Sequence, residues 1–240
     1  MEDNEINRLV AQGMLARLGH GVTLAEDGRS ALALVTERAF DLALLDINLP
    51  DMDGISLRED LAAISEEVHG RALPAIAVSA QMYPEDVRHC LAAGFADFVG
   101  KPVRLAALAG AIARQCKEED ASSAQAGIEA TAPRPAVGNA MLEADLPVLG
   151  LARIRQLIAL FESQGVELVA ALVASEPGEA RRQWAHKLKG SALALGLSEL
   201  ATLCAELEAG GGDPASLTAV FEETMEALRR WLATKSVAAD

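Results

Sequence analysis

Aromatic side chains are nearly missing from this sequence: two Trp, one Tyr and five Phe among 240 residues, or 3%. The 51% hydrophobic content is therefore chiefly Ala, Leu and Val, which favours packed helices over an all-β sandwich. Cysteine is as scarce. Cys90, Cys116 and Cys204 are odd in number, widely spaced and without CxxC or Cys/His metal spacing, so they suit reduced core thiols in a cytosolic protein rather than a disulfide framework or a zinc site. Positive charge is outweighed, with 21 Lys and Arg against 35 Asp and Glu and a net charge of -14. The deficit is shared, 10 basic to 17 acidic residues over 1–116 and 11 to 18 over 117–240. Neither half has a Lys/Arg-rich helix with interleaved aromatics, so no nucleic-acid partner is expected. No uninterrupted apolar run reaches 18 residues, and Met1-Glu2-Asp3-Asn4-Glu5 is acidic, unlike a signal peptide, so no membrane segment is expected either.

What is present is organised around Leu42-Ala43-Leu44-Leu45-Asp46-Ile47-Asn48-Leu49-Pro50-Asp51-Met52-Asp53-Gly54. Residues 42–45 lack polar alternation, as in a parallel strand covered on both faces, and Pro50 and Gly54 enforce a turn soon afterwards. Asp46 thus lies at the tip of a buried strand, where open α/β sheets bind ligands. An aspartate there can hold a metal or accept a phosphoryl group as an acyl phosphate; it can equally cap the next helix.

In chain order, residues 5–19 carry Ile6, Leu9, Val10, Met14 and Leu18 at helical spacing and stop at Gly19. A strand is expected over Val22 to Ala25, then a helix with Ala31, Leu32, Leu34 and Val35 that ends near Arg38. The Asp46 strand follows, then a helix from about Ile55 to Ser65. Pro74 introduces the apolar strand from Ala75 to Val78, which ends in Ser79-Ala80. Pro84 opens a helix to Ala93. Asp97-Phe98-Val99 reads as a strand running into Gly100-Lys101-Pro102, and a helix from Val103 to about Cys116 completes the alternation of a doubly wound α/β sheet. Asp46, Ser79 and Lys101 then share one edge of the sheet. A phosphoryl group on Asp46 needs a compact cation, a hydroxyl donor and oxygen ligands for Mg²⁺, the last available from Glu2 and Asp3.

Four motifs in order, Glu2-Asp3 with Asn4, Leu45 to Pro50 with Met52-Asp53-Gly54, Val78-Ser79-Ala80 and Lys101-Pro102, make residues 2–116 resemble the receiver domain of two-component phosphorelays. The resemblance implies a flavodoxin-like fold with Asp46 as phosphoacceptor. It also implies an Mg²⁺ site from Asp3, with Glu2 beside it, Asp46 and the Asn48 backbone, and Ser79 and Lys101 as the phosphate-sensing pair. Phe98 stands at the family's aromatic switch position; plain core packing is its other reading. One departure is serious: receivers have a hydrophobic strand immediately before the acidic pair, central in the 2-1-3-4-5 order, and here Met1 stands there. The expectation is of a receiver missing its first strand, in an N-terminally shortened piece of a longer protein.

From Lys117 to about Leu146 the chain has Ala121-Ser122-Ser123-Ala124, Pro133-Arg134-Pro135 and Gly138-Asn139 without sustained apolar periodicity, and it reads as a flexible tether. Beyond it only helical patterns occur: Leu149 to Ser163, Val166 to Ala174, Glu179 to Leu195, Ser198 to Ala209 and Pro214 to Ala233. Short loops between them imply an all-α four-helix bundle with room for a short extra helix. The expected domains are 1–117, a linker over 118–146 and a bundle over 147–236. In the third pattern Trp184, Leu188, Ser191 and Leu195 share a core-facing side, while His186 lies nearly opposite with Lys189, Gly190 and Leu193 around it.

His186-Lys187-Leu188-Lys189-Gly190-Ser191, with Gly196 following, resembles the histidine-containing phosphotransfer (HPt) domain over about residues 147–235. The resemblance makes His186 the phosphohistidine, steadied by Lys189, with Gly190 and Leu193 as a docking face. His20, His69 and His89 receive no role. Receiver followed by HPt resembles the C-terminal part of hybrid sensor histidine kinases of the trimethylamine N-oxide sensor arrangement. Phosphate would pass from the transmitter domain of a histidine kinase to Asp46, then to His186, then to a downstream response regulator. Nothing resembles an ATP-binding kinase domain, so self-phosphorylation from ATP is not expected. The location implied is the cytoplasm, or the cytoplasmic tail of a membrane-anchored sensor. Two alternatives stand beside this reading: a chemically inactive receiver/HPt interaction module, and an Asp-nucleophile phosphatase, against which Asp46-Ile47-Asn48 lacks a second carboxylate.

Overall fold

The structure is a computed structural model and describes residues 1–49, 51–80, 84–115 and 140–237. The chain divides into two compact units, Met1–Arg8 with His20–Pro133 and Leu9–Gly19 with Arg134–Asp240.

In the first half, helices α1 (Glu5–Arg17) and α2 (Gly28–Glu37) precede strand β1 (Ala43–Asp46). Then α3 (Gly54–His69), β2 (Ala75–Ser79), α4 (Pro84–Ala92), β3 (Asp97–Gly100) and α5 (Leu105–Gln115) alternate. The strands form one parallel sheet in the order β1-β2-β3, with Asp46 opposite Val78 and Ser79 opposite Gly100. β2 is buried at every position, which is why Ala75-Ile76-Ala77-Val78 shows no polar alternation. Leu45, Leu57, Leu61 and Ala77 form the centre of its core. Helix starts are encoded locally. Asp27 and Ser30 make a reciprocal capping box at α2, and Asp53 accepts from Ser56 N at 3.0 Å to cap α3. Asp51, from the loop after β1, also accepts from the amides of Gly28 and Arg29, so that loop is tied to the start of α2.

The expected strand at Val22 to Ala25 does not form. A strand exists only as a partner in a ladder, and the bond recorded there is Glu2 N to Ala25 O, 3.2 Å. On the other side of that segment, Met1 N donates to Leu44 O at 2.7 Å and Met1 O accepts from Asp46 N at 3.1 Å. Met1 and Glu2 therefore lie between Ala25 and β1, and the acidic pair falls beside the tip of the strand.

The second half is helical: α6 (Ala140–Leu149), α7 (Leu151–Ala174), α8 (Glu179–Ala194), α9 (Ser198–Glu208) and α10 (Pro214–Val237). α7 packs on α8 and α10, and α9 packs on α8 and α10, which closes a four-helix bundle. Two expectations change. The linker expected over 118–146 lies outside the described residues up to 139, but from Ala140 onward the chain is helix α6, whose Met141 and Leu142 are buried. The Glu143 carboxylate ties α6 to α10, accepting from Trp231 Nε1 at 2.8 Å and pairing with Lys235 at 2.6 Å. The two helices expected on either side of Gly165 are one, α7. Gly165 is buried inside it, and a Cβ there would stand 2.4 Å from the Phe221 ring, so this glycine serves close helix packing rather than a turn. Helix α7 is long and apolar enough by length and composition to cross a membrane, although no uninterrupted apolar run occurs. Its buried side, Ile154, Leu157, Ile158, Phe161, Val169 and Leu172, faces the bundle core. Cys90 and Cys204 are buried and unpaired by disulfide, and Cys116 lies outside the described residues.

Candidate functional site

Two sites emerge, one in each half. In the first, the parallel register brings three strand ends together. Asp46 closes β1, Ser79 closes β2 and Lys101 follows β3, with Lys101 N donating to Ser79 O at 2.7 Å. The Lys101 ammonium reaches both Asp46 Oδ2, at 2.5 Å, and Glu2 Oε2, at 2.7 Å. Carboxylate oxygens of Glu2, Asp3 and Asp46 lie within 4.8 Å of one another. Asp46 is not a helix cap. Its Oδ1 accepts from the Asn48 amide at 3.1 Å, and the cap of α3 is Asp53.

The side chains of Asp46 and Lys101 are 3% and 12% exposed. Burial, reinforced by the neighbouring Glu2 charge, pushes the Asp46 carboxyl up to about 6 against the opposing pull of Lys101. Burial alone would lower the Lys101 ammonium, but the Glu2 and Asp46 carboxylates outweigh it and hold the ammonium above its ordinary value. Three acidic groups around one lysine leave an excess of negative charge and a set of oxygen donors, which is the chemistry a hard divalent cation needs. The residues present fit Mg²⁺ on that ground. Asn48, through whose backbone a further ligand was expected, is exposed and contributes its amide to Asp46. Ser79 is buried at the same edge, and Phe98, opposite Ala77 in the register, is half-buried against the core.

The second site lies on α8. Its buried positions include Ala185, Leu188, Ser191 and Ala192, with Leu195 buried just beyond the helix; Trp184, expected in the core, is only half-buried. Small residues at 185 and 192 let neighbouring helices come close, and the indole is left at the edge. The His186 side chain is 41% exposed, and Lys189, Gly190 and Leu193 are half-buried on the same helix. The sequence reading missed Glu208, the last residue of α9. Its Oε1 lies 2.7 Å from His186 Nδ1 and its Oε2 accepts from Lys189 Nζ. Burial raises the Glu208 carboxyl, but hydrogen bonds from Lys189 and His186 and the Lys189 charge outweigh this and hold it below the usual carboxylate range. One signal was available: a carboxylate at the C-terminus of a helix opposes the helix dipole and calls for a compensating partner.

With Nδ1 donating to Glu208, the neutral imidazole carries its lone pair on Nε2. An exposed, nucleophilic nitrogen backed by a carboxylate that can stabilise a positive ring is suited to accept and release a phosphoryl group.

The comparisons with known proteins agree with this division. Residues 1–113 match the family of response regulator receiver domains and residues 151–231 match the Hpt domain family. The chain is 38% identical over 245 residues to the sensor histidine kinase AruS of Pseudomonas aeruginosa, which spans 96% of this chain and 23% of that protein. It is 29% identical over 212 residues to the aerobic respiration control sensor protein ArcB of Escherichia coli, spanning 87% of this chain and 27% of that protein. The chain thus covers about a quarter of the length of these relatives. Among solved structures it is similar to the receiver domain of sensor histidine kinase PA1611 from Pseudomonas aeruginosa, crystallised with magnesium in its active-site cleft. That match has 34% identity and a TM-score of 0.42, covering 48% of this chain and 92% of that one.

Proposed function

As a two-component phosphorelay protein in which a receiver domain is followed by an Hpt domain, this chain, we propose, relays a phosphoryl group through Asp46 and His186. The observation that carries the reading is the convergence of Glu2, Asp46 and Lys101 at one sheet edge, with the carboxylates bridged by a single ammonium. A carboxylate is a poor acceptor for a phosphoryl anion unless the repulsion is offset. Lys101 is placed to offset it on the protein side. Mg²⁺, held by Asp3 and Asp46 with Glu2 and the Asn48 backbone, would supply further charge neutralisation for the phosphoryl oxygens. A carboxylate oxygen of Asp46 attacks phosphorus while the P–N bond to the transmitter histidine breaks, and the departing imidazole keeps its electron pair. Ser79 and Lys101 hold the oxygens of the resulting aspartyl phosphate, and the half-buried Phe98 follows the change at this edge.

In the second step His186 Nε2 attacks the phosphorus and the P–O bond to Asp46 breaks, restoring the carboxylate. Positive charge appears on the imidazole, where the Nδ1 hydrogen bond to Glu208 stabilises it. Lys189 is placed to meet the phosphoryl oxygens, and Gly190 and Leu193 leave a low, apolar surface for the incoming regulator. The partners under this reading are a histidine kinase transmitter domain and a downstream response regulator, and the relay runs in the cytoplasm. The names of the longer relatives, sensor histidine kinases, support it. The bounds that go with it are a receiver over 1–117, a connection over 118–146 that ends in α6, and an Hpt bundle over 147–236.

The test is incubation with Mg²⁺ and a small acyl phosphate donor, with phosphate mapped on wild type, Asp46→Ala and His186→Ala. Wild type should carry phosphate at both positions, Asp46→Ala at neither and His186→Ala at Asp46 alone. Labelled His186 in the Asp46→Ala variant would show that His186 takes phosphate without Asp46, and an unlabelled Asp46 in the His186→Ala variant would remove the first step of the reading.

A further inference from the structure

The acidic pair lies within the four residues of chain before α1, where Met1 pairs with β1, Glu2 N donates to Ala25 O and Asn4 O accepts from Arg8 N. Something else must set the direction of these side chains. Arg8, in the first turns of α1, is in position to do so. Its Nη1 donates to Glu2 O at 2.6 Å and to Asp3 O at 2.8 Å. Those two carbonyls belong to the peptide planes on either side of the Asp3 Cα. Holding both fixes the dihedral angles between them and hence the direction of the Asp3 Cα–Cβ bond.

The guanidinium has little else to do. Nη2 lies 3.8 Å from Glu26, a side chain 73% exposed, at the limit of an ion pair and screened by water, whereas Arg8 itself is only 14% exposed. Other donors take care of Glu2. Asn7 Nδ2 holds its Oε1 at 2.9 Å and Lys101 holds its Oε2 at 2.7 Å. The helix that carries Asn7 and Arg8 is itself anchored, since the Asn4 side chain accepts from the amides of Ile6 and Asn7 at 3.0 and 3.2 Å. Each acidic residue thus has its own support, and the support of Asp3 is Arg8.

We propose that Arg8 is a positioning residue for a divalent-cation site, aligning the Asp3 carboxylate through the two carbonyls that flank it. The proposal rests on reading Glu2, Asp3 and Asp46 as that site. It carries a sign that a purely electrostatic role reverses. Arg8 is a positive charge near the cation, so deleting a mere charge would tighten cation binding; deleting the clamp lets Asp3 swing and weakens it.

The experiment titrates the whole chain with Mn²⁺, read by the electron paramagnetic resonance of the free ion, with Mg²⁺ as competitor, for wild type, Arg8→Gln and Arg8→Lys. Both variants should bind about tenfold to a hundredfold more weakly than wild type, the range for loss of a residue that supports a metal ligand. Arg8→Lys keeps the charge but not the paired geometry, and circular dichroism establishes that each variant is folded. Unchanged or tighter binding by Arg8→Gln overturns the proposal, as does wild-type affinity in Arg8→Lys, which also decides the matter if the Gln variant does not fold. A wild-type chain that binds neither ion would instead remove the cation-site reading itself.

Discussion

Asp46 and His186 are both read as phosphoryl acceptors, yet the molecule surrounds them differently. Asp46 is 3% exposed at the meeting of three strand ends, with Lys101, Glu2 and Asp3 drawn from distant parts of the chain. His186 is 41% exposed on one helix face and is served by one carboxylate from the next helix. The contrast follows from the chemistry of the acceptors. A carboxylate must have its own charge offset before an anion can approach, and dry surroundings make that offset stronger. An imidazole nucleophile carries no negative charge to be offset, so it requires only the right tautomer and room for a partner. Burial and convergence are necessary in the first case and a hindrance in the second.

The largest effect that can break this comparison is at Lys101. Lys101→Met leaves Glu2 and Asp46 buried side by side without their shared cation. Phosphorylation of Asp46 by a small donor should slow by about 10²–10³, the cost of losing one preorganised charge partner. Acceptance by His186 from a separately phosphorylated receiver should not change. Equal losses in both assays would mean that the two sites are not chemically independent.

A smaller loss is expected at Glu208. Glu208→Gln keeps the shape and a possible hydrogen bond but removes the charge that faces the ring. Uptake of phosphate by His186 should fall roughly tenfold, in keeping with about 1.5 kcal/mol for a charge-assisted bond on a partly exposed side chain. The rate at Asp46 should stay as in wild type, and single-turnover transfer from phosphorylated receiver reads the difference. A Gln variant as fast as wild type would leave the carboxylate no part in the step.

The smallest effects are in pH dependence, and they separate the halves by window. The Asp46 carboxyl is raised from 3.8 to about 6, so between these values the folded chain retains a proton that the unfolded chain has released. The cation-free receiver half should therefore lose stability as pH rises from about 4 to about 6, and Mg²⁺ should oppose that loss because it binds the deprotonated form. Glu208 shifts the other way. Its contribution is fully present above 4.5, its ordinary value, and is lost as pH falls through its depressed folded value. Thermal unfolding followed by circular dichroism across pH 3–7, in wild type, Asp46→Asn and Glu208→Gln, should show each variant flattening one window and leaving the other. A single variant that flattens both would show the two windows to be linked.

Much of the first site was legible because strand ends are announced locally. Apolar runs that stop at Asp46, at Ser79 and before Lys101 are bounded by Pro and Gly, and a parallel sheet places such ends on one edge. What failed depended on partners. Val22 to Ala25 has strand composition but no ladder on which to form a strand. Gly165 looks like a turn in sequence and is a contact with Phe221, 56 residues away, in space. Glu208 was invisible from the His186 motif because it lies 22 positions further along, and the intervening chain specifies two helices without specifying which residue of the second faces the ring.

Sequence by itself determined the inventory and its local placing: a carboxylate, a hydroxyl and an ammonium at strand tips, and a histidine on the polar side of an amphipathic helix. These follow from the periodicity of side chains along one element and from the residues that end it. Tertiary structure alone decided which groups serve them: Lys101 shared between Glu2 and Asp46, Arg8 across the carbonyls of the acidic pair, and Glu208 behind His186. Each of those bonds joins separate elements or crosses from loop to helix. Their lengths are set by how helices and strands pack, and packing is a property of all the side chains together.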